Sequence, residues 1–89
     1  MKVAYDPKAQ ADILYWFETD KRVLGKVLNL VKEVTRTPFE GTGNPEALKH
    51  QFNGYWSRRI NFEDRLVYTV NEIDQIVDVI SCRGHYKDL

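Results

Sequence analysis

The chain has one cysteine, Cys82, in 89 residues. A disulfide framework within one chain is therefore excluded, which fits a reducing compartment. Long apolar runs are missing as well, and none approaches the ~20 residues that a membrane-spanning helix needs. The opening MKVAYD has no signal-peptide pattern, so a cytoplasmic location and no membrane partner are expected. Net charge is absent too, because 13 Lys and Arg balance 13 Asp and Glu. That argues against a protein that holds nucleic acid by bulk positive charge. The two histidines lie far apart, and Cys82 has no Cys or His companion at ligand spacing. No metal site and no cofactor is expected. Cys82 itself sits in an apolar strand pattern and reads as a small buried hydrophobe.

What remains is globular material of ordinary composition, 43% apolar and 29% charged. The length predicts a single domain over residues 1–89. So short a chain buries only ~60% of its unfolded surface, so any site must share that surface with the core.

Met1 to Tyr5 reads as a strand. Asp6-Pro7 then marks a helix start, with Asp6 as cap and Pro7 at the first helical position. Ala11, Leu14 and Tyr15 are read as one helical stripe, with Ile13, Trp16 and Phe17 beside it. Thr19-Asp20 ends that helix and caps a second, whose Val23, Leu24, Val27, Leu28, Val31 and Val34 follow a 3.6-residue period. Gly25 interrupts it, at a point where two helices could pack closely. Pro38 stops the run. Residues 38–54 hold two of the three prolines and three of the five glycines. YWSRRINF, RLVYTV and IVDVISCR are then three strands joined by short polar turns. The order β-α-α-β-β-β predicts an α+β fold: an antiparallel sheet with two N-terminal helices packed on one face. The other face is left for a ligand.

Chemically capable side chains gather late in the chain. Arg58, Arg59 and Arg65 lie within eight residues, and Arg83 and Lys87 flank His85 in SCRGHYKDL. Cleaving RNA without a metal requires a base for the 2′-hydroxyl, a cation for the phosphate and an acid for the departing 5′-oxygen. Glu46, Arg65 and His85 are of the right types. Whether Arg65 and Arg83 meet at one end of neighbouring strands or lie at opposite ends depends on register, which pattern leaves open. Phe52, Tyr55, Trp56 and Tyr68 are candidates for stacking bases or for the core.

The stretches YWFETDKR, RTPFEGTGNPEALKH, GYWSRRI, RLVYTV and SCRGHY resemble the YoeB/Txe toxins of the RelE-like superfamily. The likeness covers nearly the whole chain. It implies the RelE-like microbial RNase fold and a ribosome-dependent endoribonuclease that cuts mRNA in the ribosomal A site. Carried over by position, Glu46 matches the general base, Arg65 the phosphate-stabilising arginine and His85 the general acid. Lys49 and Arg59 match supporting cations, and Tyr86 a terminal aromatic of the site. The implied partners are a cognate YefM-like antitoxin, the 70S ribosome with its mRNA, and a second copy of the chain in a homodimer. Lys87, Asp88 and Leu89 extend past the family's terminal Tyr and are expected to lie outside the chemistry. The rival expectation is a toxin-like binding module that acts in an antitoxin or operator complex and does no chemistry.

Overall fold

Pro7 opens the first helix and Asp20 separates it from the second, as the sequence predicts. The computed structural model describes the whole chain, the side chain of Asp88 excepted. Helix α1 is Pro7–Thr19 and α2 is Lys21–Arg36. Asp20 Oδ1 accepts the backbone N–H groups of Arg22 and Val23, at 3.1 and 3.3 Å, and so caps α2. Asp6 stands at the matching position of α1 but makes no side-chain cap bond. No described helix is long and apolar enough to cross a membrane.

The strands are β1 (Lys2–Tyr5), β2 (Glu46–Ala47), β3 (Trp56–Arg59), β4 (Arg65–Asn71) and β5 (Ile76–Ser81). They form one sheet in the order β1-β5-β4-β3-β2. Two features differ from the sequence expectation. The sheet is mixed, because β1 runs parallel to β5. It also has a fifth strand, the two-residue edge strand β2, paired antiparallel to β3. Two residues are too few to show an alternation, so pattern alone misses β2.

Both helices pack on one face, as expected, but α1 is turned from the predicted stripe. Its buried residues are Ala9, Asp12 and Trp16, whereas Leu14 and Phe17 are exposed. A buried aspartate in the middle of the stripe concealed it. Val27, Leu30, Val31 and Val34 of α2 meet Leu66, Tyr68, Val77 and Val79 of the sheet in the core. Each such side chain contributes about 1.5–3 kcal/mol by leaving water. Gly25 is exposed, and a Cβ there would touch nothing within 4 Å, so no close helix contact requires it.

The most unusual member of this interior is Arg58, whose exposure is 0%. Its Nε donates to the Tyr68 hydroxyl at 3.1 Å. Nη1 donates to Glu33 Oε1 at 2.8 Å and to the Thr42 carbonyl at 3.3 Å. Nη2 donates to the carbonyls of Thr37 and Glu40. The guanidinium fork thus ties α2, the following loop and β4 together. Hydrogen bonds from the hydroxyl and amide of Thr42, with Arg58 behind them, hold the Glu33 carboxyl below its usual range. The loop bends tightly around this pair. Gly41 has φ +128°, and a Cβ on it would overlap Glu33 Oε1. Removing Arg58 leaves the Tyr68 hydroxyl and the carbonyls of Thr37, Glu40 and Thr42 without their donor. Arg58→Ala should therefore lower stability by more than the ~1 kcal/mol of a typical substitution in chemical denaturation. A loss near that of an exposed arginine would contradict the anchoring role.

A second charged feature lies where β1 joins β5. Burial first, then the neighbouring Asp6 carboxyl, push the Asp78 carboxyl up to about 6. Among the described residues, Asp78 Oδ1 is buried with no hydrogen-bond partner. A folded-state value raised above the ordinary 3.8 means that the folded protein binds this proton more tightly than the unfolded chain does. The contribution is complete below the ordinary value and is lost as pH rises through about 6. Asp78→Asn should raise Tm at neutral pH, and the gain should vanish in acid. A variant that melts lower than wild type at neutral pH would contradict this.

Candidate active site

Register fixes what the face opposite the helices presents. Side chains paired across strands share a face. Glu46 pairs with Ser57 and Ser57 with Val67, which makes one row; Arg59 pairs with Arg65, which makes the next. Arg58, between Ser57 and Arg59, faces the helices. The predicted cluster of three arginines is therefore divided, with Arg58 serving the core and Arg59 and Arg65 the open face. Two strand spacings and one two-residue step separate Glu46 from Arg65, roughly 12 Å between backbones. Two long side chains and a phosphate group can span that distance.

Arg65 starts β4 and is half-buried. Its Nη1 donates to the carbonyls of Asn61, Phe62 and Asp64, at 2.9, 3.2 and 3.1 Å. These carbonyls of the β3–β4 turn orient the guanidinium without neutralising it. Neither Glu63 nor Asp64 pairs with it through a carboxylate; the described ion pairs are Lys8–Asp12 and Arg58–Glu33. Among the described residues, Nε and Nη2 of Arg65 make no hydrogen bond. That edge of the fork suits two phosphate oxygens.

The segment after β5 is held against α1. Trp16 Nε1 donates to the Cys82 carbonyl at 2.9 Å, and Asp12 Oδ2 accepts the Cys82 N–H at 3.0 Å. Lys8 Nζ reaches Asp12 Oδ2 and Ser81 Oγ, both at 2.9 Å, and the Arg83 carbonyl at 3.3 Å. The Arg83 guanidinium lies 3.5 Å from the centre of the Tyr15 ring. The Arg65 N–H donates to the Gly84 carbonyl at 2.9 Å, so Arg65 and Arg83 are at the same end of the sheet. Gly84, with φ +80°, then turns the chain into His85.

The His85 ring centre is 4.3 Å from that of Tyr86, and Tyr86 meets Phe52 edge-on at 5.6 Å. His85 Nδ1 accepts the Lys87 N–H at 3.4 Å. Burial, then the Asp12 charge, push the Cys82 thiol up to about 12, so it is no nucleophile at neutral pH.

A cavity of about 500 Å³ opens beside these groups, with Glu46, Lys49, His50, Phe52, Tyr86 and Lys87 among its lining residues. The structure therefore brings Glu46, Lys49 and Tyr86 together around one space. Arg65 and Arg59 lie on the adjoining row, and His85 is not among the lining residues but packs its ring on that of Tyr86, which is. Arg59 is exposed and also borders a second cavity, between α2 and the β3–β4 turn. Lys87, expected to lie outside the chemistry, is one of the residues that line the first cavity; the side chain of Asp88 lies outside the described residues. Trp56 and Tyr68 pack with the core, which leaves Phe52 as the predicted stacking aromatic at the cavity. Among the described residues, no group of three or more His, Cys, Asp or Glu is placed to hold a metal ion.

Sequence reading missed Asp12, Lys8 and Asp64, which fix the backbone that carries His85. Asp12 left a signal, a lone acid among apolar helix positions. Asp64 left none, because turns are rich in Asp.

This sequence and this fold have known relatives. The family model described as "YoeB-like toxin of bacterial type II toxin-antitoxin system" matches residues 5–86. Toxin YoeB of Escherichia coli K12 is 50% identical over 86 residues, 97% of this chain and 100% of that protein. The solved YoeB/ParE toxin from Agrobacterium tumefaciens superposes with a TM-score of 0.93 at 44% identity, covering 97% of this chain and 100% of that one. YoeB from Staphylococcus aureus has been solved in a heterotetrameric complex with the YefM antitoxin, where it is 40% identical with a TM-score of 0.86. It has also been solved as a dimer, 41% identical with a TM-score of 0.87. In both cases 97% of this chain and 98% of that one are covered. The chain belongs to the YoeB-like toxins of bacterial type II toxin-antitoxin systems.

Proposed function

We propose that this toxin is a cytoplasmic, ribosome-dependent mRNA endoribonuclease that works without a metal. The observation that carries the reading is that three elements come close together, β2 and the C-terminal segment around one cavity and that segment bonded to the start of β4. Edge strand β2 presents Glu46, the start of β4 presents Arg65, and the pinned segment after β5 presents His85.

In the proposed reaction Glu46 takes the proton of the 2′-hydroxyl. The 2′-oxygen attacks the adjacent phosphorus, and the bond to the 5′-oxygen breaks. His85 gives its proton to that oxygen, which would otherwise leave as a strongly basic alkoxide. The products are a 2′,3′-cyclic phosphate and a free 5′-hydroxyl. Arg65 meets the charge that builds on the phosphate oxygens, an effect worth about 3 kcal/mol for a preorganised donor. Lys49 and Arg59 hold flanking phosphates, and Tyr86, braced on Phe52, shapes the space beside the acid.

The ribosome supplies what the toxin lacks. Phosphate neutralisation drives most nonspecific RNA affinity, and a chain of zero net charge has little to offer free RNA. In the cell a YefM-like antitoxin neutralises the toxin, and a second copy forms a homodimer; the solved assemblies of the Staphylococcus aureus relative support both partners.

Purified wild type, Arg65→Ala and His85→Ala should be compared on ribosome-bound and on naked mRNA. Wild type should cut the ribosome-bound message and leave the naked one largely intact. Each variant should keep its Tm and lose about 100-fold or more in rate. Folded variants that cut like wild type would remove the assignment. A wild type that never cuts would leave the non-catalytic binding module.

A further inference from the structure

The β3–β4 turn contains a contact that reaches across to the C-terminal segment. Asp64 Oδ1 accepts the backbone N–H of Gly84 at 2.8 Å. The Gly84 carbonyl is held in turn by the Arg65 N–H at 2.9 Å. Gly84 is thus gripped at both its polar backbone groups by two consecutive residues of one turn. It is the residue that directly precedes His85, and its φ of +80° makes it the pivot of the segment.

The turn that does the gripping is itself fixed. Asn61 Oδ1 accepts the N–H groups of Glu63 and Asp64 at 2.8 and 2.7 Å. The Asp64 carbonyl accepts the Ile60 N–H at 3.0 Å and Arg65 Nη1 at 3.1 Å. Asp64 therefore contacts Arg65 directly and the segment that carries His85 through Gly84. Its carbonyl orients the Arg65 guanidinium, and its carboxylate sets the backbone that carries His85. The contacts from α1 stop at Cys82 and Arg83. Beyond them the Asp64 carboxylate is the side-chain anchor that the described residues supply to Gly84.

We propose that Asp64 is the positioning residue of the cleavage reaction, holding His85 in register with Arg65 through the Gly84 amide. The inference rests on the reading of His85 as the acid. Asp64 touches neither the substrate nor the imidazole in this role. A displacement of about 1 Å at a reacting group costs on the order of 100-fold, so a lost clamp is visible in the rate.

The test compares wild type, Asp64→Ala, Asp64→Asn and His85→Ala on ribosome-bound RNA under single-turnover conditions. Two linkages are used at the cleavage site, the natural one and one with sulfur in place of the 5′-oxygen. Sulfur leaves as a stable thiolate and needs no acid, so the second linkage bypasses His85. Asp64→Ala should cut the natural RNA about 10- to 100-fold more slowly than wild type and the sulfur-bridged RNA at nearly the wild-type rate. Asp64→Asn keeps an oxygen that can accept the Gly84 N–H and should restore most of the natural rate. An Asp64→Ala protein that slows equally on both linkages has a general defect, which overturns the proposal. So does one that cuts the natural RNA like wild type, or an Asp64→Asn protein as slow as Asp64→Ala. If His85→Ala cuts the natural RNA at the wild-type rate, the reading of the site fails, and the positioning role fails with it.

Discussion

The Arg58 guanidinium is shut away from solvent, and its hydrogen bonds are satisfied by α2, by the loop after it and by Tyr68 of β4. Much of the architecture follows from satisfying that one cation. An unpaired charge in this position would be severely destabilising, so the loop must fold around it. Three loop carbonyls turn inward to do so, and Glu33 supplies the countercharge. The Tyr68 hydroxyl, which accepts from Arg58, donates to the Pro38 carbonyl at 2.7 Å. The loop then docks on β3 through a bond from the Arg59 N–H to the Gly43 carbonyl at 2.6 Å. A few residues later the chain pairs with β3 as the edge strand that bears Glu46. A residue with no access to substrate thereby governs where the proposed base stands.

The other end of the site is anchored by different means. Asp12 is buried in α1, and its carboxylate collects Lys8, the Ser81 hydroxyl and the Cys82 N–H. Trp16 holds the Cys82 carbonyl from the next turn of the helix. Both anchors lie on the helix side of the sheet, and each fixes the backbone that leads to a site residue. This division suits so small a chain. Its core cannot be large, so polar contacts with fixed geometry do the positioning that bulk packing does in bigger proteins.

Much of this was legible in the sequence, and the exceptions have physical causes. The two helices and the β3, β4 and β5 strands announce themselves through Pro7, Asp20, Pro38 and apolar periodicity. The parallel pairing of β1 with β5 did not, because a four-residue strand reads the same in either direction. β2 was hidden in a segment rich in Pro and Gly. Arg58 and Arg59 are chemically identical in a string of letters, and only strand alternation sends one inward and the other outward. Leu14 looked like core and is exposed, while Asp12, an acid, is buried, because pairing with Lys8 and the β5 end outweighs its polarity. Residue type singled out Glu46, Arg65 and His85, and the resemblance matched them to roles and added Lys49, Arg59 and Tyr86. The structure adds that Glu46, Lys49 and Tyr86 share a cavity, with Arg59, Arg65 and His85 on its flank.

The central claim is that this site activates a 2′-hydroxyl rather than a water molecule. The chemistry of the cut ends decides between the two. mRNA programmed into ribosomes should be cleaved by the purified toxin and the fragments weighed by mass spectrometry at the earliest time that gives product. The account predicts an upstream fragment ending in a 2′,3′-cyclic phosphate and a downstream fragment beginning with a 5′-hydroxyl. An upstream 3′-hydroxyl with a downstream 5′-phosphate would mean attack by water, and would contradict the roles given to Glu46 and His85.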